Sequence, residues 1–428
     1  MSNRKVFALV DCNNFYVSCE RAFNAAIQQK PVIVLSNNDG CIVARSNESK
    51  KLGIKMGQPV FECEDSIKKH HIQVFSSNYS LYADMSERVM AILSQFSPRQ
   101  EIYSIDEAFL ELTGTDIDDL TEFGRTIKAR VLQFTSIPVS VGIASTRSLT
   151  KIANELVKKD PRYQGVLDLT RLSDHELDQL LAQVAIEDVW GIGPKYALFL
   201  SNYGITTAKD LKHADEKWIR KHLTVTGARI VLELRGICCI PLETDRPPKQ
   251  GIMCAKTFGR EITSLEEMQE AVSTYAARAA EKLREQGSFT SCLSVFIKTN
   301  SFNKHVPQYA NSFTVHFDYP TAFTPDIVRY ALDGLNAMYK DGYRYKKAGV
   351  SLSKITPQSA LQPDLFGDFS VTEYEKQARL MYIVDAINHI YGRDTLFFAI
   401  QGMTRRWKMR QSHLSSRFTT QWSELLSL

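Results

Sequence analysis

Two apolar runs that end in acids constrain this chain more than any other feature. Residues 6–10, Val-Phe-Ala-Leu-Val, form a continuous β-rich pattern of the buried kind, and it stops at Asp11. Asp106 and Glu107 fill the short connection between two further strand patterns, at 101–104 and 108–112. If these strands are neighbours, three carboxylates meet at one sheet edge. Adjacent carboxylates do not ionise together cheaply without a cation. A set of oxygen donors suits hard divalent ions such as Mg²⁺, which retains waters and substrate phosphates in its octahedron. Taken singly, Asp11 as a helix cap and Asp106 with Glu107 as a solvated turn explain the same residues.

The surrounding pattern is α/β. A helix is expected over 13–23 and a second buried strand over 32–35, then a mixed small and polar segment, 36–78, with Gly53, Gly57 and Pro59. A helical stretch at 120–134 and a buried strand at 139–144 complete a sheet domain ending near Asp168. Apolar spacing turns helical between 173 and 235, with Leu177, Leu180, Leu181 and Val184 on one face. After Pro241, Pro247 and Pro248 come an amphipathic helix at 265–285, alternating strands at 293–298 and 313–317, another helix at 326–339 and a closing strand. The last ~70 residues open on a Pro/Gln/Ser-rich stretch and end basic, the composition of a tethered tail.

Composition narrows the class. The formal charge of +4 on 428 residues does not by itself indicate a polyanion partner. Eight cysteines without a C-x-x-C and nine histidines without an H-x-x-x-H argue against a zinc framework or a disulfide scaffold and fit a reducing cytoplasm. No stretch approaches a membrane span, and neither export signal nor anchor is expected.

Four ordered segments then carry a resemblance. Asp11-Cys-Asn-Asn-Phe-Tyr-Val-Ser-Cys-Glu20, Lys50-Lys-Leu-Gly-Ile-Lys-Met-Gly57, Tyr103-Ser-Ile-Asp-Glu-Ala-Phe-Leu-Glu111 and Val141-Gly-Ile-Ala-Ser-Thr-Arg-Ser-Leu-Thr-Lys-Ile-Ala153 resemble, in order and spacing, the Y-family (translesion) DNA polymerases. Through the tail the likeness is to the UmuC type, the catalytic subunit of bacterial DNA polymerase V. The resemblance implies a multidomain α/β and α+β right hand: palm (1–35 and 79–168), small fingers (36–78), helical helix-hairpin-helix thumb (169–241), α+β little finger (242–355), and a linker with a partner-binding tail (356–428). It places two Mg²⁺ ions on Asp11, Asp106 and Glu107, with the main-chain carbonyl of Cys12 as a further ligand. It makes Tyr16, beside Phe15, the ring that rejects a ribose 2′-hydroxyl. Lys50 and Lys158, with Asn47, are expected at the triphosphate, and Arg45 and Ser104 as weaker phosphate and supporting contacts. Many relatives carry Tyr and Arg where this chain reads Asn47 to Lys50, and lysine lacks arginine's bidentate fork.

Outside the sheet domain, Asp188-Val-Trp-Gly-Ile-Gly-Pro-Lys195 resembles a helix-hairpin-helix. Gly191, Ile192, Gly193 and Lys195 would present amides and charge to a DNA phosphate, though a plain helix connection has the same shape. Between Lys249 and Lys354 there are 14 basic and 10 acidic residues, and Arg344 and Lys346 alternate on one strand. A solvated face explains that alternation equally well, whereas the family reading makes it a DNA grip. Gln362-Pro-Asp-Leu-Phe366, with Gln362, Leu365 and Phe366 as contacts, resembles a sliding-clamp peptide. The acid-free stretch 395–423 interleaves five basic residues with Trp407, Phe418 and Trp422 and suggests a protein partner. The family associates such tails with a UmuD-like accessory subunit and the RecA filament.

The expectation is a low-fidelity, template-directed DNA polymerase acting on primer-template DNA and dNTP in the SOS response to DNA damage, in the bacterial cytoplasm and with no membrane. Two other classes use part of the pattern: a palm-fold nucleotide cyclase, and a catalytically silent DNA-binding scaffold. Neither needs all of the acids, hairpin and clamp peptide together.

Overall fold

The computed structural model describes residues 5–115, 117–245, 247–360 and 371–426. The chain forms two compact units, one of residues 1–36, 40–246 and 413–428, the other of 37–39 and 247–412. Among the described residues no helix is long and apolar enough to cross a membrane.

In the first unit a five-stranded sheet runs in the order Gln100–Ile102, Glu107–Glu111, Phe7–Cys12, Val139–Ala144, Val166–Asp168. The central strand Phe7–Cys12 is buried throughout, as its unbroken apolar run requires. Val10, Val141 and Ile143 face a core that also holds Met85 and Val89 of helix Tyr79–Leu93 and Ile127 and Val131 of helix Leu120–Thr135. Helix Arg147–Lys159 packs on the other face. Gly142 lets it approach: a Cβ there would lie 2.5 Å from the carbonyl oxygen of Thr150. The Asn154 side-chain amide seals this contact by donating to the carbonyls of Leu9 (3.3 Å) and Ser140 (3.1 Å).

Val32–Leu35 is not part of this sheet. It pairs antiparallel with Ile42–Arg45 and parallel with Gln73–Ser76, around a small core of Ile33, Leu35, Ile42, Ile54, Cys63 and Ile72. The sequence reading placed it in the palm because its four apolar residues carry no sign of which sheet buries them. Four α-helices follow, Asp174–Leu181, Pro194–Ser201, Ala208–His213 and Glu216–Leu234, packed on Leu181, Leu200, Leu211 and Val231.

The second unit has a four-stranded antiparallel sheet, ordered Ala310–Thr321, Ser288–Thr299, Tyr345–Pro357, Ile252–Ile262, with helices Leu265–Glu285 and Thr324–Met338 packed on it. A composition typical of a tethered tail is here ordered structure. Helix Val371–Ile390 is anchored by a two-pronged Arg284–Asp385 ion pair at 2.7 and 2.8 Å, and Trp407 is buried in the core beside Phe258 and Tyr275. The glycine at 259 leaves room for this segment, since a Cβ there would lie 2.3 Å from the Lys408 carbonyl oxygen. The end of the chain returns to the first unit, where Phe418 stacks on Phe23 with centroids 4.9 Å apart. Of the three aromatics expected to face a partner, Trp407 and Phe418 are therefore spent on internal packing, and Trp422 is exposed.

Candidate active site

Strand register brings the acids together. Asp11 lies directly opposite Glu107 in the antiparallel pair Phe7–Cys12 and Glu107–Glu111, so the two share a face. The Cys12 amide donates to the Asp106 carbonyl at 2.8 Å, which ties the connection carrying Asp106 to the end of the central strand. Asp11, Cys12, Asp106 and Glu107 line one cavity of about 610 Å³.

The electrostatics of this edge call for cations. Burial pushes the Asp11 carboxyl up to about 6; Lys158 works against that rise, and the charges of Glu107 and Asp106 add to it. Lys158 Nζ sits 2.7 Å from Asp11 Oδ2, and Lys151 pairs with Glu107. Both lysines belong to helix Arg147–Lys159, two turns apart and so on one face. Ser104 Oγ donates to Asp106 Oδ1 at 2.6 Å. With these pairings made, the described residues contain no group of three His, Cys, Asp or Glu side chains already gathered as metal ligands. The donor set nonetheless fits hard divalent ions: it is all oxygen, it is crowded with like charge, and lysine ammonium groups neutralise it here.

The same cavity collects Phe15, Tyr16, Arg45, Asn47, Lys50 and Lys158; Ser104 reaches it only through Asp106. Asn14, at φ 48°, starts helix Phe15–Ala22, and its side chain donates to Asn47 Oδ1 at 3.2 Å. Phe15 is buried, while the half-buried Tyr16 ring stacks on Tyr82 with centroids 4.4 Å apart and planes 13° off parallel. Arg45 donates to the Ile54 carbonyl, and its Nε is buried without a partner. Desolvation and the charges of Arg45 and Lys158 hold the Lys50 ammonium below its ordinary range. Lys151, together with the Asn13–Ser140 bond (2.8 Å), was missed from sequence. Its signal was available: it lies seven residues before Lys158 on one helix.

In the helical part, Gly191 turns at φ 88° with Ile230 where a Cβ would go; Ile192 is buried, Gly193 caps helix Pro194–Ser201, and Lys195 is exposed. In the second unit Arg344 Nε contacts Glu261 at 2.7 Å, and Lys346 falls in a register shift between Tyr345 and Lys347. Arg344 precedes the strand Tyr345–Pro357 and Lys346 sits in that bulge, so the two do not alternate on one strand as read from the sequence. Gln362, Leu365 and Phe366 lie outside the described residues.

Residues 10–155 match the impB/mucB/samB family model, and residues 249–365 match the model of its C-terminal domain. Protein UmuC of Salmonella typhimurium is 46% identical over 423 residues, covering 98% of this chain and 99% of that protein. The chain belongs to the impB/mucB/samB family. This impB/mucB/samB protein is also 41% identical to Protein SamB of Salmonella typhimurium, covering 98% and 99% of the two chains. It is 27% identical to DNA polymerase IV of Moorella thermoacetica, covering 92% and 95%. Its fold is that of a Y-family DNA polymerase chimera of Dbh and Dpo4 (TM-score 0.65, 21% identity, 82% of this chain and 99% of that one). An insertion ternary complex of Dbh DNA polymerase covers the same shares at a TM-score of 0.55 and 21% identity. The family member described here is thus a UmuC-type Y-family enzyme, a DNA-directed DNA polymerase of the translesion kind. Residues 378–428 match a domain of unknown function.

Proposed function

We propose that Asp11, Asp106 and Glu107, with the main-chain carbonyl of Cys12, hold two Mg²⁺ ions and that synthesis takes place in the cavity they line. The observation that carries this reading is the register pair Asp11/Glu107, with Asp106 bonded beside it and Arg45, Lys50 and Lys158 on the same cavity. When bound, such ions activate a primer 3′-hydroxyl and stabilise the leaving pyrophosphate. Lys158 and Lys151 hold the acids until then. Lys158, 37% exposed, is placed to turn from Asp11 to the triphosphate, joining Lys50 and Arg45, and Ser104 orients Asp106. Tyr16 is the sugar gate, with Phe15 packed behind it.

The hairpin at Gly191 to Lys195 grips the duplex by its phosphates, and Arg344 and Lys346 provide a second set of backbone contacts, so binding should weaken with salt. The small core around Ile33 and Ile42 limits how tightly the nascent pair can be pressed, which fits low fidelity on damaged templates. Gln362, Leu365 and Phe366 engage the sliding clamp, and the tail meets a UmuD-like subunit and the RecA filament in the bacterial cytoplasm. Primer extension past an abasic site, with and without these accessory proteins, tests the whole reading. Mg²⁺-dependent bypass is the expected result; conversion of triphosphate to a cyclic nucleotide without primer extension would overturn it.

A further inference from the structure

The Tyr16 ring is backed by a chain of contacts that ends in the C-terminal segment. Tyr16 stacks on Tyr82, which is fully buried. The Tyr82 hydroxyl donates to Glu20 Oε1 at 2.7 Å, and Ser415 Oγ donates to the same oxygen at 3.0 Å. Glu20 is only 2% exposed; burial pushes its carboxyl up, and these two hydroxyls, both on Oε1, work against that rise. A buried carboxylate is costly to leave short of donors, so its bonds are worth more than those of a surface group. Ser415 is in turn fixed by Asn78, whose side-chain amide lies 3.1 Å from the Ser415 carbonyl, 2.9 Å from its hydroxyl and 3.1 Å from the Ser416 carbonyl. Asn78 also accepts from the Leu81 amide at the start of the helix that carries Tyr82. Three residues on, Phe418 stacks on Phe23, just beyond the helix carrying Tyr16 and Glu20.

We propose that Ser415, through Glu20 and Tyr82, is a positioning residue for the sugar gate, so that the docked C-terminal segment helps to set discrimination between deoxyribonucleotides and ribonucleotides. This rests on Tyr16 being that gate. A gate rejects a 2′-hydroxyl only if its ring cannot yield, and Tyr82 is the plane it would have to displace. Loss of the Ser415 hydroxyl leaves the Glu20 carboxylate one donor short and loosens its hold on Tyr82.

The test is single-nucleotide incorporation by the full-length enzyme, comparing kcat/KM for a dNTP and the matching rNTP. Ser415→Ala should raise relative ribonucleotide use about fivefold, the scale of one such hydrogen bond, and leave the dNTP value within about twofold. Tyr82→Phe should act in the same direction, Ser415→Thr should restore selectivity, and Phe418→Ala should mimic Ser415→Ala from a second point of the segment. Unchanged discrimination in Ser415→Ala, Phe418→Ala and Tyr82→Phe, with discrimination lost in Tyr16→Ala, would overturn the coupling alone. Unchanged discrimination in Tyr16→Ala would remove the gate itself and the coupling with it.

Discussion

Lys158 contacts Asp11 across 2.7 Å in the cavity that Arg45 and Lys50 also line, and on the proposed reading this one ammonium group serves the acid first and the triphosphate afterwards. On that reading its replacement removes a point charge from the triphosphate while the three acids stay in place, though Asp11 loses its cation. Lys158→Ala should therefore raise the KM for dNTP about tenfold with a smaller effect on kcat, as read from steady-state incorporation. Tyr16→Ala should retain DNA synthesis and admit ribonucleotides, measured by extension with rNTP alone; unaltered sugar selection would remove its role. The acids were legible in the sequence because Asp11 closes an apolar strand pattern and Asp106 and Glu107 lead into another. The Glu20–Tyr82–Ser415 chain was not, because its partners lie 62 and 395 positions from Glu20 and none belongs to a spaced pattern.

At the scale of elements, helix Arg147–Lys159, which carries Lys151 and Lys158, is held from its N-terminal end. Arg147 is buried, pairs with Glu101 at 2.7 Å, donates to the Pro241 carbonyl at 2.9 Å and lies over the Phe109 ring. Glu233, fully buried on helix Glu216–Leu234, accepts from the amides of Ser148, Cys239 and Ile240. Arg147→Met would take the cation from the buried Glu101 carboxylate, leaving it the Glu243 amide at 2.8 Å, and should cost about 3 kcal/mol, seen as a lower denaturant midpoint. A second pairing sits among the following helices. Burial opposes ionisation of Asp178, yet its bonds to Lys212 and His213 hold its carboxyl below the usual range. A depressed carboxyl stabilises above its unfolded value of 3.8 and loses that contribution as pH falls through the folded value. Asp178→Asn should thus lower the thermal midpoint at pH 7, and the gap from the parent should close below about pH 4. Helices with caps and 3.6-residue spacing were readable from sequence. Strand partners were not: the Val32–Leu35 pattern says "buried" without saying in which sheet.

For the whole molecule, the last 50 residues are the least legible part. Their basic, aromatic composition reads as a tail waiting for a partner, whereas Trp407 fills the second unit's core and Arg405, 5% exposed, pairs with Asp394 at 2.6 Å. Composition does not distinguish an aromatic kept for a partner from one buried against its own chain. Trp407→Ala should destabilise that unit by about 3–5 kcal/mol in denaturant titrations, a loss expected of a core aromatic and not of a free tail. The central claim is that Asp11, Asp106 and Glu107 together drive nucleotide transfer. Single-turnover primer extension in Mg²⁺ by Asp11→Asn, Asp106→Asn and Glu107→Gln measures it most directly. Each variant should be slower by at least about a hundredfold while still binding primer-template; parental rates in any of the three would contradict the account.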